Sequence, residues 1–221
     1  MESASRRGIN QSWIYHQNPY YLGMGFLYHY WREILSGAAV IIALYSYIQY
    51  IRSIFAQKTE PHVFSWWIWA LTTGIAFFAQ VAGGGGWGSA QSGVTFVVCI
   101  GIAILAFRYG KIGKFDRLDW YALTLAFMAI GLWKMMADPF YGSLFAMLAD
   151  VIGYIPTFRK VWKKPESEPR GYYLLMNVKH GLSLLALSRY TWTTMIFSGS
   201  VIVINFVLIL VQIFRKKKHH A

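Results

Sequence analysis

Apolar segments long enough to cross a lipid bilayer recur along the whole chain, and this recurrence is the strongest constraint on its fold. A hydrocarbon core of roughly 30 Å requires about 20 predominantly apolar residues in a helix. Seven such segments fit into the 221 residues, of which 56% are hydrophobic and 14% charged. They cover residues 34–55, 62–82, 91–108, 117–137, 140–162, 171–189 and 192–214. The sequence therefore predicts an all-α membrane protein with seven transmembrane helices.

The basic residues are distributed unevenly between the two sides of this predicted bundle. If the N-terminus is outside, the inner loops and the C-terminal tail carry fifteen Lys and Arg residues, and the outer side carries five. Such an excess marks the cytoplasmic side of a membrane protein. We therefore expect the N-terminus outside and the C-terminus inside. This rule accounts for the net charge of +12, so nucleic acid is not an expected partner.

A short motif occurs at corresponding places in the two halves of the chain. Residues 47–52 read YIQYIR, and residues 154–159, 107 positions later, read YIPTFR. Both copies lie near the end of an apolar segment, and each precedes a polar stretch and a proline. We therefore predict two three-helix bundles, at 34–108 and 139–214, that are joined by a linker helix at 109–138. A single joining helix gives both bundles the same orientation, which makes them parallel repeats in a 3+1+3 arrangement.

Two further segments flank the bundles. Residues 1–33 are rich in aromatic side chains from position 19 onwards, and Tyr and Trp rings favour the membrane interface. We expect this segment to lie along the interface, where it is the candidate contact for a second copy of the chain or for a membrane partner. The basic tail at 215–221 is expected in the cytoplasm, close to anionic headgroups of the lipid bilayer.

Two sets of residues accompany the 3+1+3 plan. They are Lys58, Pro61, His62, Ser65, Trp66, Trp69, Ala76 and Gln80 in the first half, and Asp150, Gly153, Pro156, Thr157, Lys160, Pro165, Ser167 and Glu168 in the second. Over residues 34–214 the chain resembles bacterial PQ-loop-like membrane proteins of the SWEET and PQ-loop superfamily, which includes sugar carriers, amino-acid exporters and the KDEL receptors. The resemblance implies a multi-pass protein of the bacterial inner membrane. It names no substrate, and the Pro-Gln pair of the superfamily is replaced by Pro156 and Thr157.

Asp150, Lys179 and His180 are ionisable residues that lie deep inside the predicted helices. From the inner ends of their segments, Asp150 is about 15 Å deep and Lys179 about 12 Å deep, with His180 next to Lys179 but about 100° away around the helix. Charges at such depth are usually paired and face the protein interior. We predict that Asp150 binds a proton or the cationic part of a substrate, with Lys179 or His180 as its partner. The alternative is a structural salt bridge between neighbouring helices.

Tryptophan and asparagine residues complete the predicted substrate site. SWEET-type carriers place tryptophan on the second helix and asparagine on the third helix of a bundle, and the resemblance implies these roles for Trp69 and Asn205. Trp66 lies one turn before Trp69, and Asn177 is the counterpart of Trp69 in the second half. An aromatic wall opposite an amide suits a sugar, a nucleoside or a small heterocycle. The alternatives are an interfacial belt for the tryptophans and helix–helix contacts for the amides.

Two features predict moving parts. Pro156 removes a backbone hydrogen bond and can kink the fifth segment, either as a hinge or as a fixed bend. The glycine-rich residues 83–88 form the outward turn between the second and third segments, either as a flexible outer gate or simply as a turn. They lack the lysine and the strand-to-helix context of a phosphate loop. The predicted gate residues are Gln80, Gly84, Gly85 and Gln91.

These patterns favour a small-solute transporter of the sugar, nucleoside, vitamin or amino-acid class. Access would alternate between the two bundles, and proton coupling through Asp150 is one hypothesis. The alternative is a membrane receptor or accessory subunit that binds a ligand or partner without transport. An enzyme that uses Asp150 and His180 is not favoured, because no nucleophile has an evident base. We expect no cofactor, and the histidines show no metal-binding spacing.

Overall fold

The structure is a computed structural model that describes residues 19–57, 61, 63–109, 117–163, 165 and 170–219. Within these residues the secondary structure consists of seven α-helices and one short 3₁₀ helix, without strands. The α-helices are α1 (Pro19–Phe55), α2 (Val63–Ala82), α3 (Ala90–Tyr109), α4 (Arg117–Met136), α5 (Pro139–Lys163), α6 (Arg170–Leu185) and α7 (Trp192–His219). The 3₁₀ helix, Gly86–Ser89, leads into α3. The prediction of an all-helical fold is confirmed.

The first helix corrects one predicted boundary. The sequence predicts a separate interfacial segment up to residue 33, but α1 runs without a break from Pro19 to Phe55. Proline is favoured in the first turn of a helix, and no further proline interrupts the residues that follow. Residues 1–18 of the predicted segment lie outside the described residues, as do Lys58, His62, Ser167 and Glu168 from the set that carries the family resemblance.

Three helices in the described part of the chain are long and apolar enough to cross a membrane. The qualifying stretches are His29–Phe55, Gly86–Tyr109 and Trp192–Lys216. Large apolar side chains on these helices face outward, with Ile41, Val97 and Val203 all more than 60% exposed. Extended exposed apolar surface is unusual in a soluble monomer. The fold is therefore that of a helical membrane protein.

Local signals mark the beginnings of α5 and α7. Oδ1 of Asp138 accepts a 2.9 Å hydrogen bond from the backbone N–H of Phe140, with Pro139 at the first helical position. Thr191 and Thr194 cap α7 reciprocally. The Thr191 N–H donates to Oγ1 of Thr194 at 3.0 Å, and the Thr194 N–H donates to Oγ1 of Thr191 at 3.3 Å.

The helices of the two halves pack in the same order. In the first half α3 contacts both α1 and α2, and in the second half α7 contacts both α5 and α6. Between the halves α1 packs against α6 and α2 packs against α5, while α4 lies against α5 and α2. The contacts of the two halves are therefore equivalent, with α1 corresponding to α5, α2 to α6 and α3 to α7.

Small side chains allow the helices to approach closely. Ala126 and Ala129 of α4 and Ala146 and Ala149 of α5 are all fully buried in a core that also includes residues of α2 and α7. A second core joins the helices of the first half, and a third joins those of the second half. Alanine at helix crossings is typical of membrane bundles, in which association depends on close packing.

Candidate functional site

A cavity lies between the two halves of the bundle. Its walls are formed by α1, α2 and α3 on one side and by α5, α6 and α7 on the other. The volume of the cavity is about 100 Å³. Because one water molecule needs roughly 10–15 Å³ measured in this way, the space holds several waters or a small solute.

Most of the predicted substrate residues line this cavity. Trp66 and Trp69 contribute from α2, Asp150 from α5, and Lys179 and His180 from α6. The three ionisable side chains are at most 6% exposed. From the sequence, only one of Lys179 and His180 was expected to face Asp150 squarely. In the structure both residues line the cavity that Asp150 also lines.

Lys179 is held by hydroxyl groups of the first half. Its Nζ donates to the Tyr47 hydroxyl at 3.4 Å and to Oγ1 of Thr95 at 3.3 Å. The same nitrogen lies 5.0 Å from the centroid of the Tyr47 ring, within the range of a cation–π interaction. The ammonium group therefore connects α6 with both α1 and α3.

The predicted ion pair between Asp150 and Lys179 is not formed. Among the residues that the structure describes, the hydrogen bonds of Lys179 go to hydroxyl oxygens rather than to the carboxylate. The reason lies in the helix order, because α7 packs between α5 and α6 and the two helices are not direct neighbours. Asp150 and Lys179 both line the cavity without a direct hydrogen bond between them.

The two tryptophans form one aromatic wall. The rings of Trp66 and Trp69 meet edge to face, with centroids 5.1 Å apart. Nε1 of Trp66 donates to the hydroxyl of Tyr50 at 3.2 Å, which orients the indole from α1. A Cβ atom at Gly153 would lie 3.5 Å from Nε1 of Trp69, an ordinary van der Waals distance, so α5 passes close to the ring.

Neither predicted amide lies on the cavity wall. Asn205 is fully buried, and its Oδ1 accepts a 2.9 Å hydrogen bond from the hydroxyl of Tyr154, a residue that lines the cavity. Asn177 is half-buried, and its Oδ1 has no partner within the described structure. The expected amide wall opposite the tryptophans is therefore replaced by a tyrosine that Asn205 positions.

Three polar atoms along the cavity lack hydrogen-bond partners. They are Oε1 of Gln91, Oγ of Ser92 and Nδ1 of His180, all buried and unpaired with any described residue. Buried polar groups in proteins are almost always hydrogen-bonded. A ligand or water in the cavity would supply the missing partners.

The predicted outer gate is a closed contact between the two halves. The backbone N–H of Ser188 donates to the Gly85 carbonyl at 3.0 Å, and the Ser183 hydroxyl donates to the Gly88 carbonyl at 2.6 Å. Beside them, Nε2 of Gln80 donates to the Thr194 carbonyl at 3.2 Å. We call these contacts, between residues 80–89 and 183–194, the outer seal, after the side on which the sequence predicts them.

The other residues predicted to belong to a gate or hinge lie at separate places in the structure. Gly84 has a φ of 79° and packs beside Arg189, so a side chain there would be both strained and crowded. Gln91 is fully buried and lines the cavity instead of the outer mouth. Pro156 lies within the continuous helix α5, and its role as a hinge stays a prediction.

The sequence analysis did not assign several residues to the cavity, although two signals in the sequence point to them. Tyr47 and Tyr154 are the first residues of the two copies of the repeated motif, and both line the cavity. Gln91, Thr95 and Cys99 recur every fourth residue, which places them on one face of α3. A repeated tyrosine and a polar stripe in an apolar helix were therefore the available clues.

Comparison with known proteins yields no match: no family model, curated protein or solved structure is similar to the chain. The cavity itself is therefore the feature from which a function can be inferred. A small, partly polar cavity with charged side chains inside an apolar bundle is a typical ligand-binding arrangement.

Proposed function

We propose that the protein is a small-solute transporter in which the cavity between the two halves is the substrate site. The observation that carries this proposal is the cavity, which places a carboxylate, an ammonium group and an imidazole between the two halves. Ionisable groups inside a membrane bundle are costly and mark solute or proton pathways. The cargo class is a sugar, a nucleoside, a vitamin or an amino acid.

The packing order supports a transporter of the 3+1+3 type. The central positions of α3 and α7, and the equivalent contacts of α1 with α6 and α2 with α5, are expected if two parallel repeats face each other. In this proposal all seven helices cross the inner membrane of a bacterium, with α4 as the linker and the C-terminus in the cytoplasm. The same order favours kinship with the PQ-loop and SWEET superfamily.

Closure at one end supports alternating access. The outer seal covers the cavity at the end of α2 and the start of α3, while Tyr172 and Tyr173, near the beginning of α6, line its other end. A carrier must close one side while it opens the other, and the seal joins the two halves that would have to separate. In this proposal Asp150 carries the coupling proton.

A ligand screen tests the proposal. A solute that binds only the folded protein raises its melting temperature by mass action. We would measure this temperature in detergent with sugars, nucleosides, vitamins and amino acids, at acidic and at neutral pH. The expected result is a stabilising solute whose effect is lost in Trp69→Ala.

The neighbouring Trp67 offers a matched control. It lies on the same helix, is 42% exposed and is absent from the cavity wall, so Trp67→Ala should keep the ligand effect. Equal loss in both variants would argue against a site at Trp69. A solute that binds but is not taken up by vesicles would favour a receptor or accessory subunit.

A further inference from the structure

The immediate hydrogen-bond partners of Lys179 are neutral, although Asp150 lines the same cavity. The Lys179 side chain is 1% exposed, and its partners are the hydroxyls of Tyr47 and Thr95. Across the described chain, no carboxylate is hydrogen-bonded to it. Asp150 is on a helix that α7 separates from α6, so the two charges do not neutralise each other by contact.

The neighbouring side chains of α3 add further donors. Nε2 of Gln91 donates to Oγ1 of Thr95 at 2.8 Å, so two donors converge on a single hydroxyl oxygen. The hydroxyl of Ser92, which is 1% exposed, lines the same cavity and has no partner among the residues described. At this part of the wall, neither the Ser92 hydroxyl nor Oε1 of Gln91 has a hydrogen-bond partner within the described structure.

A buried ammonium group that touches no carboxylate is unfavourable, because burial removes its water and neutral hydroxyls replace only part of the lost interaction. An anionic oxygen is the ligand group that corrects this deficit, and charge-assisted hydrogen bonds are stronger than neutral ones. The Ser92 hydroxyl provides a second donor on the same cavity wall.

We infer that the transported solute carries a carboxylate, which binds Lys179 of α6 and the hydroxyl of Ser92 on α3. This inference rests on the proposed function and narrows its substrate class. The cavity of about 100 Å³ suits a small acid. Asp150, on the far wall, then receives either a proton or an ammonium group of the same solute.

Four probes of matched size separate these possibilities. Lactate and alanine carry a carboxylate, whereas lactamide and alaninamide replace it with a neutral amide. We would measure the melting temperature of the purified full chain over a concentration series of each probe. Lactate, alanine or both should stabilise the protein, and the two amides should bind at least about tenfold more weakly.

The pattern among the acids defines the role of Asp150. If lactate and alanine both bind, the carboxylate alone suffices, and Asp150 serves a proton. If alanine alone binds, the ammonium group is also required. Either result supports the inference. Amides that bind as tightly as the acids, or the failure of both acids to bind, would overturn it.

Variants assign the effect to Lys179. Lys179→Met should weaken acid binding at least about tenfold, whereas Lys134→Met, at an exposed lysine of α4, should leave it unchanged. If Lys179→Met does not fold, Ser92→Ala decides, with an expected loss of about threefold or more. Acid binding unchanged in the folded variant would contradict the inference.

The proposed function is tested separately by uptake. If the acids bind but no probe enters vesicles, transport fails while the carboxylate site stands. If another solute class is transported and the acids do not bind, the carboxylate inference fails while the transporter stands.

Discussion

The ammonium nitrogen of Lys179 lies 3.4 Å from the hydroxyl oxygen of Tyr47, so a hydrogen bond joins α6 to α1 across the two halves. Removing this hydroxyl in Tyr47→Phe keeps the ring but leaves the buried ammonium group with one fewer acceptor. We expect the free energy of unfolding to fall by about 1.5–3 kcal/mol, as is typical for hydrogen bonds to charged groups. Thermal or denaturant unfolding in detergent would measure this loss.

Tyr45 is the matched control for that experiment. It lies two positions earlier in α1 and is 56% exposed. Tyr45→Phe should change stability by no more than about 0.5 kcal/mol. If the two variants melted alike, the bond between Lys179 and Tyr47 would not contribute to stability.

Tyr154 and Asn205 should be energetically coupled. Tyr154→Phe leaves Oδ1 of Asn205 buried without its donor, at an expected cost of about 1–3 kcal/mol. Combining it with Asn205→Leu removes both polar partners, so the double variant should be more stable than the sum of the single losses predicts. A double-mutant cycle measures this coupling, expected at about 0.5–3 kcal/mol. Strict additivity would show that the hydrogen bond is not formed.

The outer seal should be sensitive to added volume at Gly88. A Cβ atom there would lie 2.7 Å from the backbone nitrogen of Leu187 and from the carbonyl oxygen of Ser183, neither of which can rotate away. We expect Gly88→Ala to lower the free energy of unfolding by about 1–3 kcal/mol. Gly181, inside α6, has nothing within 4 Å of the added atom. Gly181→Ala should therefore be neutral or stabilising by up to about 1 kcal/mol, and equal losses in both variants would contradict the packing of the seal.

Proton coupling should depend on Asp150 and not on other acids. Asp150→Asn keeps the shape of the side chain but removes its ability to release and bind a proton at the cavity. We expect solute uptake to lose its dependence on pH in this variant while the protein stays folded. Asp138→Asn is the control, because Asp138 is exposed and asparagine also caps helices well. An unchanged pH profile in Asp150→Asn would exclude this residue as the coupling site.

Much of the helical fold was predictable because membrane thickness dictates the length of each apolar segment. The ionisable cavity residues Asp150, Lys179 and His180 were predictable because charges are rare in such segments and rarely face lipid. The direct contact expected between Asp150 and Lys179 is not formed, because such a contact depends on which helices are neighbours. The position of α7 between α5 and α6 follows from tertiary packing, which a linear pattern does not report.

The roles of the uncharged polar residues were harder to assign. Asn205 was expected on the cavity wall. The position of a residue on one face of a helix does not show which neighbour it bonds, and here Asn205 accepts a hydrogen bond from Tyr154. Tyr47 escaped notice because the chain has 15 tyrosines and most such rings belong to membrane interfaces. Its place in the repeated motif, 107 residues before Tyr154, was the more informative signal.

Solute uptake into vesicles that contain the purified protein decides whether the cavity is a transport site. With labelled solutes from the stabilising class, we expect saturable uptake that is lost in Trp69→Ala and Lys179→Met and retained in Trp67→Ala and Lys134→Met. Uptake that persists in the two cavity variants, or binding without uptake in the unaltered protein, would contradict a transporter whose substrate site is the cavity between the halves.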